Sequence, residues 1–223
     1  GNPTREEVDE FLDEVRESYG QLAHLPYDVE QCIHRPIVAL LAGSRQQEIK
    51  DNLPAMLEVA RCFPDYQFVL AGAPGIEESY YQPYLQGTDV LFVKDKTYAL
   101  LYRAKAALVT SGTATLETCL FGVPQVVCYR VPMAKVYGVL RKLLVKVKYV
   151  SLVNLVADRE VVPELVVETF TVKALKHELA RILPDGEGRD EMLSGYREVK
   201  RRLGNQCAPD EAAKLIVKKL NTA

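Results

Sequence analysis

Three histidines, His24, His34 and His177, are all the sequence contains, and they are too dispersed to build a metal centre. Cys32 and His34 stand close together but have no second pair of ligands beside them, so neither a metal nor a cofactor is expected. The five cysteines, Cys32, Cys62, Cys119, Cys128 and Cys207, are odd in number and include no Cys-x-x-Cys pair. They read as reduced, mostly buried thiols of an intracellular protein. A basic excess is missing too: the net charge of −2 argues against general nucleic-acid binding, which normally leaves a basic footprint. No signal peptide is expected, and no apolar run is long enough to span a bilayer. Internal repeats and low-complexity tracts are absent. What is there suffices for a real core: of 223 residues, 48% are hydrophobic and 26% charged. That can make one large domain, or a domain plus a helical appendage.

Read along the chain, apolar strands alternate with helical segments. Thr4 to Glu7 forms a capping box opening a helix whose apolar stripe is Val8, Phe11, Leu12, Val15 and Tyr19, closed by Gly20. Strands are expected at 36–42, 67–73, 89–93, 106–110 and 125–130. The helices between them lie near 45–63, kinked at Pro54, and near 77–86, 98–105 and 113–121. Strands spaced by helices in this way predict a parallel sheet covered on both faces, whose ligands bind at the carboxyl ends of the strands.

Two of those strand ends carry chemistry. Ala106–Thr110 runs into Ser111-Gly112-Thr113-Ala114-Thr115-Leu116-Glu117, a turn through small residues into a short helix. Such a turn lets a ligand approach the backbone and meet the helix N–H groups and positive dipole end. Glu117 stands four residues after Thr113, on one helix face, where a carboxylate can accept both hydroxyls of a ribose. The bland alternative is an ordinary turn with a solvated glutamate. The second apolar run, Pro36–Ala42, likewise ends in Gly43-Ser44-Arg45. Ser44 and Gln47 have capping-box spacing, which starts a helix at or just after Arg45 and leaves its guanidinium beside a strand end, suited to grip phosphate. Its bland alternative is a surface ion pair with Glu48. Together the two turns suggest a diphosphate held between them.

Beyond the last strand, residues 133–148 carry Lys135, Arg141, Lys142, Lys146 and Lys148 among apolar residues, with no acid. A basic amphipathic helix of this kind lies on an anionic membrane or is simply a solvated face. Asn154 is a lone amide in an apolar stretch, either satisfied internally or held for a ligand. Helices are expected over 171–183, 187–203 and 209–220.

Gly43-Ser44-Arg45-x-x-Glu48-Ile49, Leu53-Pro54, Ser111–Glu117, Pro124-Gln125-Val126-Val127-x-Tyr129-Arg130, Tyr149-Val150-Ser151-Leu152-x-Asn154-Leu155 and Arg159–Leu165 together resemble lipid A disaccharide synthase, in that family's order. Ala42 departs from the proline usual before Gly-Ser-Arg, which relaxes the turn without removing the site. Gly1-Asn2-Pro3 resembles the family's hinge, so the chain is expected to be the C-terminal part of the enzyme. The resemblance implies an α/β, Rossmann-like domain of the GT-B type at 36–165, a hinge-proximal helix and linker at 1–35, and a C-terminal helical segment at 166–223.

The resemblance also implies transfer of a 2,3-diacylglucosamine unit from its UDP-linked donor to 2,3-diacylglucosamine 1-phosphate, releasing UDP, in lipid A synthesis. By matching position, Arg45 and Ser44 with the N–H groups at Gly112–Ala114 would hold the diphosphate, Glu117 the ribose, and Asn154 the sugar-diphosphate end. Arg45 and Asn154 are the catalytic candidates; Glu48, Ser111, Thr113 and Thr115 complete the UDP-sugar set. The loop near Lys94–Thr97 would offer backbone groups to the uracil. A cytoplasmic enzyme, peripheral on the anionic inner membrane and open to homodimer formation, is the implied setting, with the acceptor held mainly by the other domain. Other classes stay open: a peptidoglycan glycosyltransferase, a non-hydrolysing UDP-sugar epimerase, or a UDP-binding module without catalysis.

Overall fold

The computed structural model describes residues 24–130 and 148–203, with Asp13 and Glu17 besides. The helix expected over 4–20 apart from Asp13 and Glu17, most of the basic segment 133–148, Cys207 and the helix expected over 209–220 lie outside the described residues. Helix α1 (Tyr27–Cys32) leads into strand β1 (Ile37–Leu41) and helix α2 (Gln46–Ala60). Then come β2 (Gln67–Gly72), α3 (Glu78–Leu85), β3 (Leu91–Lys94), α4 (Thr97–Arg103) and β4 (Ala104–Thr110). The chain continues through α5 (Thr113–Leu120), β5 (Gln125–Tyr129), α6 (Leu152–Ala157), β6 (Glu164–Val166), α7 (Val172–Ile182) and α8 (Arg189–Leu203).

The six strands form one sheet in the order β3-β2-β1-β4-β5-β6, and every pair is parallel. β1 and β2 are buried along their whole length, as strands covered on both faces must be. One core joins Val38, Leu40 and Leu108 to Ile49, Leu53 and Met56 of α2. The other joins Ala39, Val69 and Val109 to Leu100 and Leu101 of α4. Strand alternation sorts the two sets.

Elements fall where the apolar pattern puts them, with shifted ends. β3 begins later than expected, at Leu91, because Asp89 is drawn into an ion pair with Arg35 at 2.9 Å and its carbonyl accepts from Gln67 Nε2. α4 stops at Arg103, since Ala104 already pairs with Ile37 of β1. α2 runs through Pro54 and ends at Ala60, short of Phe63. The helical segment from 166 onward shares the first core: Leu175, Leu179, Met192, Tyr196 and Val199 are all buried in it. Tyr196 donates to the Val123 carbonyl and accepts from Gln125 Nε2, and burial pushes its phenol well up. A boundary at 165/166 therefore falls inside β6 and within one continuous core. Among the described residues Cys119 and Cys128 are inside and Cys32 and Cys62 exposed. The outer edge of β6 is covered locally, because the Thr169 hydroxyl accepts from the Val166 N–H at 2.8 Å and donates to its carbonyl at 2.9 Å.

Candidate functional site

Strand order reverses between β1 and β4, where the chain leaves β1 towards β2 on one side and β4 towards β5 on the other. In a parallel sheet that reversal opens a crevice at the carboxyl ends. A cleft of about 680 Å³ occupies it, walled by Gly43, Ser44 and Glu48 after β1, Ala73 and Pro74 after β2, Asp95–Tyr98 after β3, and Thr110–Ala114 with Glu117 after β4. Both turns singled out from the sequence thus face one space.

The β1–α2 turn is shaped by Gly43, at φ +124°, where a Cβ would stand 2.5 Å from Glu48 Cβ. No side chain fits there, and the close approach lets Glu48 fold back along the turn. Its carboxylate accepts from the Ser44 N–H at 2.9 Å and lies 3.4 Å from Arg45 Nη1. The expected Ser44–Gln47 capping box does not form: α2 starts after Arg45 with no side-chain cap, and Gln47 turns outward to Asp51 at 2.9 Å. The Glu48 carboxylate wins because its charge makes a stronger hydrogen bond with the turn than a neutral amide does. Arg45 lies outside the cleft wall, with 81% of its side chain exposed. The bland ion pair is therefore present, but an exposed pair at that distance contributes little and leaves the guanidinium able to swing.

The β4–α5 turn is open. Gly112 sits at φ +147°, a conformation that favours glycine, with nothing within 4 Å of a Cβ built on it. α5 begins at Thr113 without a side-chain cap, an absence it shares with α1, α3 and α4; α6 and α7 are capped by Ser151 and Thr171. The first N–H groups of α5 thus meet the cleft with no hydroxyl or carboxylate over them. Ser111 spends its hydroxyl on the Val150 carbonyl at 3.1 Å, which ties the turn to the segment before α6. Thr115 is fully buried and donates to the Gly112 carbonyl at 2.8 Å, so its side chain holds the turn rather than facing the space.

Glu117 is half-buried one turn into α5, as the spacing requires. Burial raises its carboxyl above the ordinary value of 4.5, and the Tyr98 hydroxyl, 3.5 Å from Oε1, pulls it part of the way back. Tyr98 itself stacks near Phe121, ring centroids 5.3 Å apart. The sequence reading missed Tyr98; an exposed tyrosine one residue past the Lys94–Thr97 loop was the available signal. Asp95 in that loop adopts φ 54°, which turns the chain back over the cleft.

Asn154 is a correction. It is fully buried and makes every hydrogen bond an amide can: Oδ1 accepts from the Val161 and Val162 N–H groups, and Nδ2 donates to the Val162 carbonyl and to Glu164 Oε1. Glu164 also accepts from the Val150 and Ser151 N–H groups at 2.8 Å each. Asn154 and Glu164 therefore clasp the 150–164 segment together, and in this arrangement the amide has no atom left for a ligand.

Comparisons with known proteins agree on family and fold. The Lipid-A-disaccharide synthetase family model matches residues 16–217. Curated lipid-A-disaccharide synthases from Anaeromyxobacter dehalogenans and Myxococcus xanthus are each 37% identical, over 82% and 83% of this chain. The Geobacter metallireducens one is 32% identical over 83%. The chain spans about half the length of these relatives, 49–50% of each. Among solved structures, WaaG, a glycosyltransferase involved in lipopolysaccharide biosynthesis, aligns over 91% of this chain and 50% of its own at a TM-score of 0.52 and 17% identity. The spinosyn rhamnosyltransferase SpnG aligns over 89% and 48% at 0.55 and 13%. Those structural likenesses establish the fold, an α/β Rossmann-like domain of the kind found in GT-B glycosyltransferases. With its sequence matched nearly end to end, the chain belongs to the lipid-A-disaccharide synthetase family.

Proposed function

We propose that the cleft binds the UDP-linked donor of a lipid-A-disaccharide synthase, and that the whole enzyme transfers 2,3-diacylglucosamine from that donor to 2,3-diacylglucosamine 1-phosphate. The observation that carries this is the meeting of the β1–α2 and β4–α5 turns at one switch-point cleft, with the start of α5 uncapped. Glu117 stands one turn away. Glu48 already supports the anion reading: the Ser44 N–H and the Arg45 guanidinium gather its carboxylate, and a phosphate would present the same kind of oxygens with more charge. A structural relative solved with UDP and glucose, HepE from Anabaena, shares the fold at a TM-score of 0.52, which favours a UDP-sugar as the ligand class.

In this reading the diphosphate lies between Ser44–Arg45 and Gly112–Ala114, Glu117 accepts from the ribose hydroxyls, and the loop 94–97 meets the uracil. As the glycosidic bond to the donor phosphate breaks, negative charge grows on UDP. Arg45 and the α5 N-terminus stabilise it there without reorganising, which lowers the barrier. The acceptor and its general base are assigned to the half of the relatives that this chain does not cover. The basic segment 133–148 would rest on anionic lipid, where each cation contributes about 1 kcal/mol. Titration calorimetry tests the core of the reading: UDP should bind at least about tenfold tighter than UMP, the scale of one added charge-assisted hydrogen bond. Equal affinities reject the diphosphate assignment.

A further inference from the structure

Among the described residues, Asn52 Nδ2, Thr110 Oγ1 and Gln125 Oε1 are buried polar atoms without a hydrogen-bond partner. Of these residues only Thr110 forms part of the cleft wall. A hydroxyl removed from water and left unpaired is costly, and native proteins keep few of them. Thr110 is 2% exposed and ends an otherwise apolar buried run, Ala106–Val109. Alternation along β4 turns its side chain to the face of Ala106 and Leu108, which share a core with Ile49 and Leu53 of α2. That is the α2 side of the cleft, immediately before the Ser111–Gly112 turn. Ser111 cannot supply this contact, because its hydroxyl is already given to Val150.

We infer that the Thr110 hydroxyl is a further ligand contact, donating to a phosphoryl oxygen of a nucleoside diphosphate bound between the two turns. The inference rests on the diphosphate reading above and adds a residue to it. The Thr110 oxygen is buried, so ligand entry requires the side chain to turn about χ1 towards the cleft, where its hydroxyl donates without having to shed water. The contact discriminates, since a bare nucleoside brings no oxygen to this position.

Calorimetry of wild type, Thr110→Val and Thr110→Ser with UDP and with uridine tests it. Thr110→Val should lose about tenfold in UDP affinity while uridine binding stays within about twofold, and Thr110→Ser should stay close to wild type. A purely structural hydroxyl would not separate the two ligands. If wild type prefers UDP to uridine and Thr110→Val preserves that preference, the Thr110 contact alone is overturned. If wild type shows no preference, the diphosphate reading falls and this inference with it. Should Thr110→Val fail to fold, Thr110→Ala against Thr110→Ser decides, and equal UDP affinity in that pair overturns the contact.

Discussion

At the β1–α2 turn a carboxylate from the following helix folds back onto the backbone, held by the Ser44 N–H and beside Arg45. At the β4–α5 turn the corresponding space is bare: Gly112 has open room around it and α5 carries no cap. Both turns descend from the same local recipe, an apolar strand ending in small residues before a helix. One arrives with an internal anion in its donors and the other with its donors free. A diphosphate entering the cleft would meet the second turn first and would have to compete with Glu48 at the first. In the proposed reading the two turns do different work: α5 receives the diphosphate, and the α2 turn with Arg45 selects for charge.

The contrast breaks most severely at the glycines. Gly43→Ala should destabilise the protein by about 2–4 kcal/mol, because it adds a clash with Glu48 Cβ to an unfavourable φ. Gly112→Ala meets no atom and should cost about 1–2 kcal/mol from backbone strain alone. Urea midpoints measure both, and equal losses would erase the distinction. Arg45→Ala should weaken UDP by about 1.5–3 kcal/mol and leave uridine unchanged; an unaltered UDP affinity returns Arg45 to a surface ion pair. Glu117→Ala should weaken uridine by about 1–2 kcal/mol and Glu117→Gln by less, as the amide keeps one acceptor. Glu48→Gln should tighten UDP by up to about 1 kcal/mol, since a neutral amide yields the Ser44 N–H more readily than a carboxylate. Weaker UDP binding in that variant would make Glu48 a support rather than a competitor.

The smallest effect is protonic. Burial holds the Glu117 carboxyl above 4.5, so its charged form is disfavoured by the fold. That destabilises the protein above the unfolded carboxylate pKa, and the cost fades as pH falls through the raised one. Ribose hydroxyls donating to the carboxylate favour the charged form. UDP binding should therefore release a fraction of a proton near and just below the raised pKa and none well above it. Calorimetry in two buffers of different ionisation enthalpy reads this directly, and a pH-independent null would detach Glu117 from the ribose.

Much of the site was legible in sequence because strand ends announce themselves. An apolar run stopped by Gly-Ser or Ser-Gly marks where a parallel strand delivers its turn, and the runs at 36–42 and 106–110 deliver theirs to the cleft. What sequence could not weigh was competition for the same donors. Ser44 had a neutral partner at the right spacing in Gln47 and a charged one in Glu48, and the charge of Glu48 prevails once the close approach over Gly43 lets it fold back. Asn154 failed for a related reason: an amide in an apolar stretch signals a satisfied group or a ligand equally, and its partners Val161, Val162 and Glu164 lie several residues on. The docking of α7 and α8 onto the sheet was hidden because an amphipathic stripe names a buried face, not what buries it.

The Thr169 hydroxyl that closes on both polar atoms of Val166 bears on how this molecule behaves in a crowd. An uncovered outer strand offers its spare amide and carbonyl to any passing extended chain, which is how sheets recruit strangers into aggregates. Here the strand is three residues long, a neighbouring hydroxyl fills its outward pair, and Val167 at φ 49° bends the chain away immediately afterwards. A β-branched residue adopts that angle only under strain. The bend shortens the exposed margin, so beyond Val166 a foreign strand finds no continuing extended edge on which to grow.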